Sequence, residues 1–188
     1  MSDERILVLG VGNPLMGDDG VGPRVVELLL AGYSFPPNVD IVDAGTMSFM
    51  ILDLVRSADQ LIVVDAIQST GRPAGTVVTL TPEEIAPNQV RHSMHDTRLV
   101  DVLAAAELLG NSPHTVAIGV QIERIEQAVL ELTPAVGAAA PIAAAAVLDH
   151  LHALGVPTIP NDDVDVHAQI IAAMRSYAPM PDGTPEQT

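Results

Sequence analysis

The chain has 188 residues, a formal net charge of −16 at pH 7 and no cysteine. This length predicts one domain, since domains usually contain about 100–200 residues, and the lack of cysteine excludes disulfides, thiolate metal sites and a cysteine nucleophile. The negative charge repels phosphate backbones, so nucleic acid is not expected as a partner.

The first elements in chain order predict a β-α-β unit. Residues 5–10 form a short aliphatic run that ends in glycine, as in a strand buried on both faces of a parallel sheet. Residues 22–33 have a broad apolar face, with Pro23 in the position of a first helical turn. Residues 39–42 then form a second aliphatic strand.

The alternation of strand and helix continues and predicts a three-layer α/β/α domain with a mostly parallel, five-stranded, twisted sheet. The further predicted helices are residues 47–58 and 95–109, and the further predicted strands are residues 61–64, 76–80 and 115–120. The link between the strands at 61–64 and 76–80 is too short for a parallel crossover. We therefore expect residues 76–80 to pair antiparallel at an edge of the sheet.

The C-terminal part is predicted to contain two more helices. Residues 141–154 form an Ala-rich helix that ends before Gly155, and residues 161–177 keep the helical spacing of an accessory helix. We therefore expect an α/β domain over residues 1–155 and a C-terminal extension over residues 156–188, whose end has the composition of a disordered terminus.

Neither a membrane span nor a signal peptide is expected. The most apolar stretch, residues 134–148, is interrupted by Pro141 and is shorter than the roughly 18 residues that a span requires. The acidic start of the chain lacks the cationic and long apolar regions of a signal peptide. A cytoplasmic protein without a membrane partner is therefore expected.

The segment GVGNPLMGDDGVG, from Gly10 to Gly22, lies where the first strand turns into the first helix. Ligands usually bind at this carboxyl edge of a parallel α/β sheet. The glycines are similar to those of a dinucleotide loop, but Leu15 stands where G-x-G-x-x-G requires its third glycine. Asp18 and Asp19 also oppose a pyrophosphate group, so a nucleotide-binding module is the least favoured function.

The adjacent acids permit two interpretations. Aspartate is typical of helix N-termini, where its carboxylate accepts backbone N–H groups near the positive end of the helix dipole. One acid is sufficient for that role, and a second carboxylate beside it adds electrostatic repulsion between the two negative charges. A cation or an ionisable substrate group near Asp18 and Asp19 is the other interpretation.

Acidic residues also follow two predicted strands. Asp43 ends the second strand and Asp65 ends the third, which places both at the same sheet edge as the first loop. We expect Asp65 to converge there with Asp19. For Asp43, which precedes Gly45, hydrogen bonding within a turn is the favoured interpretation.

The histidines give a weaker signal. His92 and His95 stand three residues apart, a spacing that on a helix puts both on one face and is compatible with a metal site. His95 begins a predicted helix, where an imidazole is also typical of a solvent-exposed residue. The remaining histidines lack paired acids nearby in the sequence and are interpreted as structural: His114, His150, His152 and His167.

Four motifs occur in one order along the chain. They are the loop GVGNPLMGDDGVG, DAGT at residues 43–46, VDA at residues 64–66, and His95 six residues before DVL at residues 101–103. Together they closely resemble the hydrogenase maturation peptidase family, over about residues 5–155.

By that resemblance, Asp19, Asp65 and His95 match the metal-binding and catalytic triad of the family, and His92 lies outside the matched pattern. The resemblance implies a phosphorylase/hydrolase-like fold and an endopeptidase that removes a C-terminal extension from a nickel-iron hydrogenase large-subunit precursor. It also implies that the precursor supplies the nickel. Two carboxylates and one imidazole suit a divalent metal of the nickel or zinc kind. A non-enzymatic assembly factor that binds nickel or the precursor is the alternative, because the same triad serves both functions.

Overall fold

The structure is a computed structural model and describes residues 4–46, 51–68, 70–81 and 96–161, together with residues 165, 166, 168, 170 and 172. Its strands are β1 (Ile6–Val11), β2 (Tyr33–Ser34), β3 (Val39–Gly45), β4 (Gln60–Ile67), β5 (Val77–Leu80), β6 (His114–Gln121) and β7 (Ile159–Pro160). Its helices are α1 (Val21–Gly32), α2 (Leu52–Ser57), α3 (Asp96–Leu108) and α4 (Pro134–Ala153). A short 3-10 turn (Asp18–Gly20) precedes α1.

The main sheet has the strand order β3-β1-β4-β6-β5. The pairs β1–β3, β1–β4 and β4–β6 are parallel, and β5 pairs antiparallel with β6 at the edge. Both the mostly parallel five-stranded sheet and the antiparallel edge strand predicted from the sequence are confirmed. Asp43 and Asp65 lie within β3 and β4, because both strands continue past their predicted ends.

Alternate residues of β1 enter opposite layers of the domain. Ile6 and Val8 pack in a core with α1 and α4, whereas Leu7 and Leu9 pack in a second core with α2 and α3. This alternation follows from the period of two in a strand and explains why the whole run is aliphatic. Among the described residues, Tyr33 is the one aromatic side chain counted in the buried core, as the aliphatic composition predicts.

Helix α4 begins at Pro134, so the predicted start at residue 141 was wrong. Thr133 is the N-cap and Pro134 takes the first helical position, where a missing N–H costs no hydrogen bond. Inside the helix, Pro141 removes a hydrogen-bond donor, a change that costs about 3 kcal/mol. Burial on both sides of Pro141 offsets this cost, since Val136 before it and Leu148 after it are inaccessible to solvent.

Within the described ranges, α4 is the one helix whose length and hydropathy would allow it to cross a membrane. Of its most apolar 18-residue window, 56% is buried inside the protein. This burial against the sheet and α1 accounts for its apolar composition, which is that of a core helix.

The chain beyond α4 returns to the end of α1. Strand β7 pairs antiparallel with β2, and the Asn161 side-chain amide donates to the carbonyl oxygens of Leu30 and Ala31 at 3.2 Å each. Ile170, from the predicted accessory helix, is fully buried in the core. The division into a domain and an extension after residue 155 stays a prediction.

Two histidines lie at the amino edge of the sheet, away from Asp65. His114 begins β6, and His150 lies near the end of α4. Burial of the His150 ring lowers its pKa, and the nearby charge of His114 lowers that pKa further. The unfolded chain binds this proton near the ordinary pKa of about 6.5. Neutral His150 therefore stabilises the folded state fully above about pH 6.5, and this stabilisation is lost as the pH falls toward the lower folded pKa.

We expect His150→Gln to flatten the decrease of Tm between about pH 7 and pH 5, because glutamine does not titrate. Thermal unfolding at a series of pH values measures this. His114→Gln is the matched control and should flatten the curve less, since it removes only the smaller influence on the His150 pKa. A His150→Gln profile parallel to that of the unmodified protein would contradict the assignment.

Candidate functional site

Strands β1 and β4 are neighbours whose chain connections leave in opposite directions. Helix α1 leads from β1 to β3 on one side, and the chain after β4 continues to β5 and β6 on the other side. Such a switch point opens a crevice at the carboxyl ends of the strands. Asp19, after β1, and Asp65, near the end of β4, both border this crevice.

Asp19 lies in the 3-10 turn and is only 2% exposed. Its Oδ2 atom accepts a hydrogen bond of 2.8 Å from the backbone N–H of Asn13. Gly12 has a φ of 138°, and a Cβ atom at that position would lie 1.9 Å from the Asp19 carbonyl oxygen. The loop therefore folds tightly against the residue that carries the carboxylate, and a glycine at position 12 is required for this approach.

Asp65 lies at the same end of the sheet, where Gly22 of α1 closely approaches the ends of β1 and β4. A Cβ atom on Gly22, in the first turn of α1, would lie 2.2 Å from the Val11 carbonyl oxygen and 2.7 Å from that of Val64. The start of α1 thus touches the ends of both strands, and the 3-10 turn contacts β4. Asp65, the residue after Val64, is 6% exposed, and its Oδ1 atom accepts from the Ala66 N–H at 2.8 Å.

The histidine of the predicted triad is not among the described residues. His92, His95 and His167 lie outside them, and α3 begins at Asp96. Within the ranges that the structure describes, no three His, Asp or Glu side chains form a group that could hold a metal. The structure places Asp19 and Asp65 at the carboxyl ends of neighbouring strands. The third metal ligand, His95, stays a prediction.

Other residues singled out in the sequence have structural environments. Asp43 is exposed, and its Oδ1 atom accepts from the Gly45 N–H at 2.8 Å, which confirms the turn interpretation. His152 lies at the end of α4 and shares a hydrogen bond of 2.9 Å with the Thr158 hydroxyl. Neither side chain belongs to the crevice between β1 and β4.

Asp18 has a different environment from Asp19. It is 1% exposed, and its Oδ1 atom accepts from the Thr133 N–H at 2.6 Å. Its Oδ2 atom accepts from the Thr133 hydroxyl at 3.0 Å and from the N–H groups of Glu123 and Arg124 at 3.1 and 3.4 Å. These donors stabilise its charge, so neither helix capping nor a cation is needed to explain Asp18.

The segment that binds Asp18 was not identified from the sequence. Residues 122–133 connect β6 to α4 and run beside the first loop, where Met16 pairs with Val129 and the Gly17 N–H donates to the Val129 carbonyl oxygen at 2.8 Å. Threonine followed by proline at residues 133 and 134 is a helix-start signal that would have marked the end of this segment. No local signal connects it to Asp18.

Known proteins are similar to this chain in both sequence and fold. Residues 23–150 match a family model described as HycI, hydrogenase maturation protease. The chain is 38% identical over 164 residues to a hydrogenase 2 maturation protease of Escherichia coli K12, a match that covers 85% of this chain and 98% of that protein. It is 36% identical over 170 residues to the hydrogenase expression/formation protein HupD of Rhodobacter capsulatus, with 86% and 80% covered.

Solved structures give the same result. The hydrogenase maturating endopeptidase HybD from Escherichia coli aligns with a TM-score of 0.77 and 38% identity, over 85% of this chain and 99% of that chain. A nickel-iron hydrogenase maturation protease, HybD from Thermococcus kodakarensis, aligns with a TM-score of 0.66 and 25% identity, over 78% and 98% of the two chains.

Proposed function

The chain belongs to the hydrogenase maturation protease family, and on this premise we propose that it is an endopeptidase that removes the C-terminal extension of a nickel-loaded hydrogenase large-subunit precursor. The observation that carries the proposal is the burial of two carboxylates, Asp19 and Asp65, beside one switch point of the sheet. Ionisable groups are rarely this buried, and titratable groups in an edge crevice of an α/β sheet are suited to chemistry there.

We further propose that Asp19, Asp65 and His95 bind the nickel that the precursor brings. Hard carboxylate oxygens and a borderline imidazole nitrogen suit a divalent metal of this kind. A backbone N–H at 2.8 Å holds one oxygen of each carboxylate and fixes its orientation. The nickel is then part of the substrate, and cleavage depends on correct assembly of the hydrogenase.

The reaction requires water to add to the scissile carbonyl carbon, after which the carbon–nitrogen bond breaks and the protonated amine leaves. One carboxylate, Asp19 or Asp65, accepts a proton from the attacking water and delivers it to the departing amine, which makes the mechanism aspartic in type. Bound nickel supplies Lewis acidity toward the scissile carbonyl. The protein has no cysteine, so a thiol nucleophile is excluded.

The proposal predicts that nickel-loaded precursor is cut and that nickel-free precursor stays intact even at high enzyme concentration. Shared coordination of the metal would orient the scissile bond, and nickel-free precursor lacks this proximity. The measurement is release of the C-terminal peptide by mass spectrometry, with purified precursor prepared in both forms. Efficient cutting of nickel-free precursor would contradict the nickel dependence.

An unrelated unfolded protein is the control for specificity, because a general protease would degrade it. The alternative function, a non-enzymatic assembly factor, predicts precursor of unchanged mass in every sample. No feature of the described residues favours that alternative. The cytoplasmic location stays an expectation from the sequence.

A further inference from the structure

Two exposed leucines stand at the edge of the sheet that carries Asp19 and Asp65. Leu15, in the first loop, is 58% exposed, and Leu130, in the 122–133 segment, is 67% exposed. The other large exposed apolar residues in the described ranges lie elsewhere, on α1, α2, β7 and the end of α3: Leu30, Leu54, Leu108, Leu109 and Ile159. Among the described residues, Leu15 and Leu130 are therefore the large exposed apolar side chains on loops at the carboxyl ends of the strands.

The two leucines belong to one surface because their loops are paired. They flank the bridge between Met16 and Val129, one on each loop, and both of these bridge residues are half-buried. The Asn13 side chain accepts a hydrogen bond of 3.0 Å from the Leu15 N–H, which fixes the turn. Asp18, in the first loop, also joins the two loops, because its carboxylate accepts hydrogen bonds from the N–H groups of Glu123 and Thr133 at the two ends of the 122–133 segment.

The backbone near Leu130 is also held in an unusual conformation. Ala128 has a φ of 61°, and it is the one non-glycine residue with positive φ in the described part of the chain. Strained backbone of this kind persists where the surrounding structure determines it, and it is concentrated at binding and catalytic sites. The exposed leucines are thus presented on a preorganised surface rather than on frayed ends.

The segment that carries Leu130 is acidic. Glu123, Glu126 and Glu131 are exposed on the 122–133 segment, where Arg124 is the one basic residue and pairs with Glu126 at 3.1 Å. The segment therefore carries a formal charge of −2, three acids against one base. A partner segment with aliphatic side chains flanked by Lys or Arg would cover the leucines and complement this negative charge.

We propose that Leu15 and Leu130, with Glu123 and Glu131, form the docking surface for the C-terminal extension of the precursor. The extension binds as an extended segment that places an aliphatic side chain between the leucines and a basic side chain against the glutamates. This inference rests on the proposed function, because the occupant is the segment that the site would cut. Binding of the extension there would orient the scissile bond toward Asp19 and Asp65.

The first test compares two double variants with the unmodified protein. We expect Leu15→Ser with Leu130→Ser to lower kcat/KM for the nickel-loaded precursor about tenfold or more, mainly through KM. Leu30→Ser with Ile159→Ser is the matched control, since these residues are 51% and 66% exposed but lie away from the crevice. Equal KM values for the leucine variant and the unmodified protein would overturn the proposal.

The second test changes charge and does not depend on the leucines. Glu123→Lys with Glu131→Lys should raise KM and reverse its salt dependence, because the basic side chains of the extension then meet lysines. Glu107→Lys, on an exposed position of α3, controls for a change of charge elsewhere. A KM and salt dependence unchanged in the double variant would count against the charged part of the surface.

A synthetic peptide with the sequence of the extension identifies the occupant. It should inhibit the unmodified protein, and it should inhibit the leucine variant at least several-fold less well. Equal inhibition of both would assign the leucines to another part of the precursor and overturn the proposed occupant. Failure of the proposed function itself is distinct, because then the unmodified protein cuts no precursor at all.

Discussion

Asp19→Asn and Asp65→Asn are each expected to slow cleavage of nickel-loaded precursor by at least about 10²-fold while the protein stays folded. Asparagine keeps the size of aspartate and still offers an oxygen to the N–H groups of Asn13 and Ala66. It removes the negative charge and the basicity that binding the metal and accepting a proton require. His95→Ala is expected to have an equal effect, because the resemblance of the sequence motifs assigns His95 to the same triad.

The measurements are single-turnover cleavage by mass spectrometry and Tm by circular dichroism. Asp43→Asn is the matched control, because Asp43 is also an acid at the carboxyl edge but is exposed and serves a turn. It should cleave at nearly the unmodified rate. Normal cleavage by either Asp19→Asn or Asp65→Asn would show that the carboxylates are not the catalytic pair.

The second large effect is expected for Asp18→Ala, which should lower the free energy of unfolding by about 3 kcal/mol or more. Its carboxylate is the acceptor for the Thr133 N–H and hydroxyl and for two further N–H groups. Removing it leaves buried donors without that acceptor, and each costs about 1–3 kcal/mol. For a protein of this size the Tm should fall by roughly 6–12 °C.

Urea unfolding measures this loss of stability. Thr133→Val is the variant for comparison, because it removes the hydroxyl bond to Asp18 but keeps the N–H bond of 2.6 Å. Thr133→Val should cost about 1 kcal/mol. At a temperature where Asp18→Ala is still folded, we expect it to retain part of its cleavage activity, in contrast to Asp19→Asn. An Asp18→Ala protein as stable as the unmodified one would disprove this role.

The fold was predictable because its main strands appear in the sequence as short aliphatic runs. Residues Ile6 to Leu9 alternate between two buried layers, so both faces require apolar side chains and the strand is recognisable without any partner. The antiparallel edge strand followed from the length of a link. The start of α4 was missed because Pro141 was interpreted as a helix boundary, although burial on both sides outweighs its local cost.

The site was predictable only in part. Asp65 follows a recognisable strand and Asp19 a recognisable loop, so both could be assigned to one edge from the topology of the sheet. Asp18 was treated as the partner of Asp19 because they are adjacent in sequence. Its real partners begin 105 residues away, and a contact of that separation leaves no periodic or motif signal.

The hydrogen bond between Asp18 and Thr133 spans 115 residues, so it can form only late in the synthesis of the chain. Both carboxylates of the site lie within the first 65 residues of the chain, and they leave the ribosome well before Thr133 and α4. Until those later residues are made and α4 docks, the loop that carries Asp19 lacks the hydrogen bonds that fix its neighbour, and long-range contacts of this kind form late. A nascent chain therefore holds its acidic residues without an assembled cleavage site, and the enzyme becomes competent only when translation has passed its core helix.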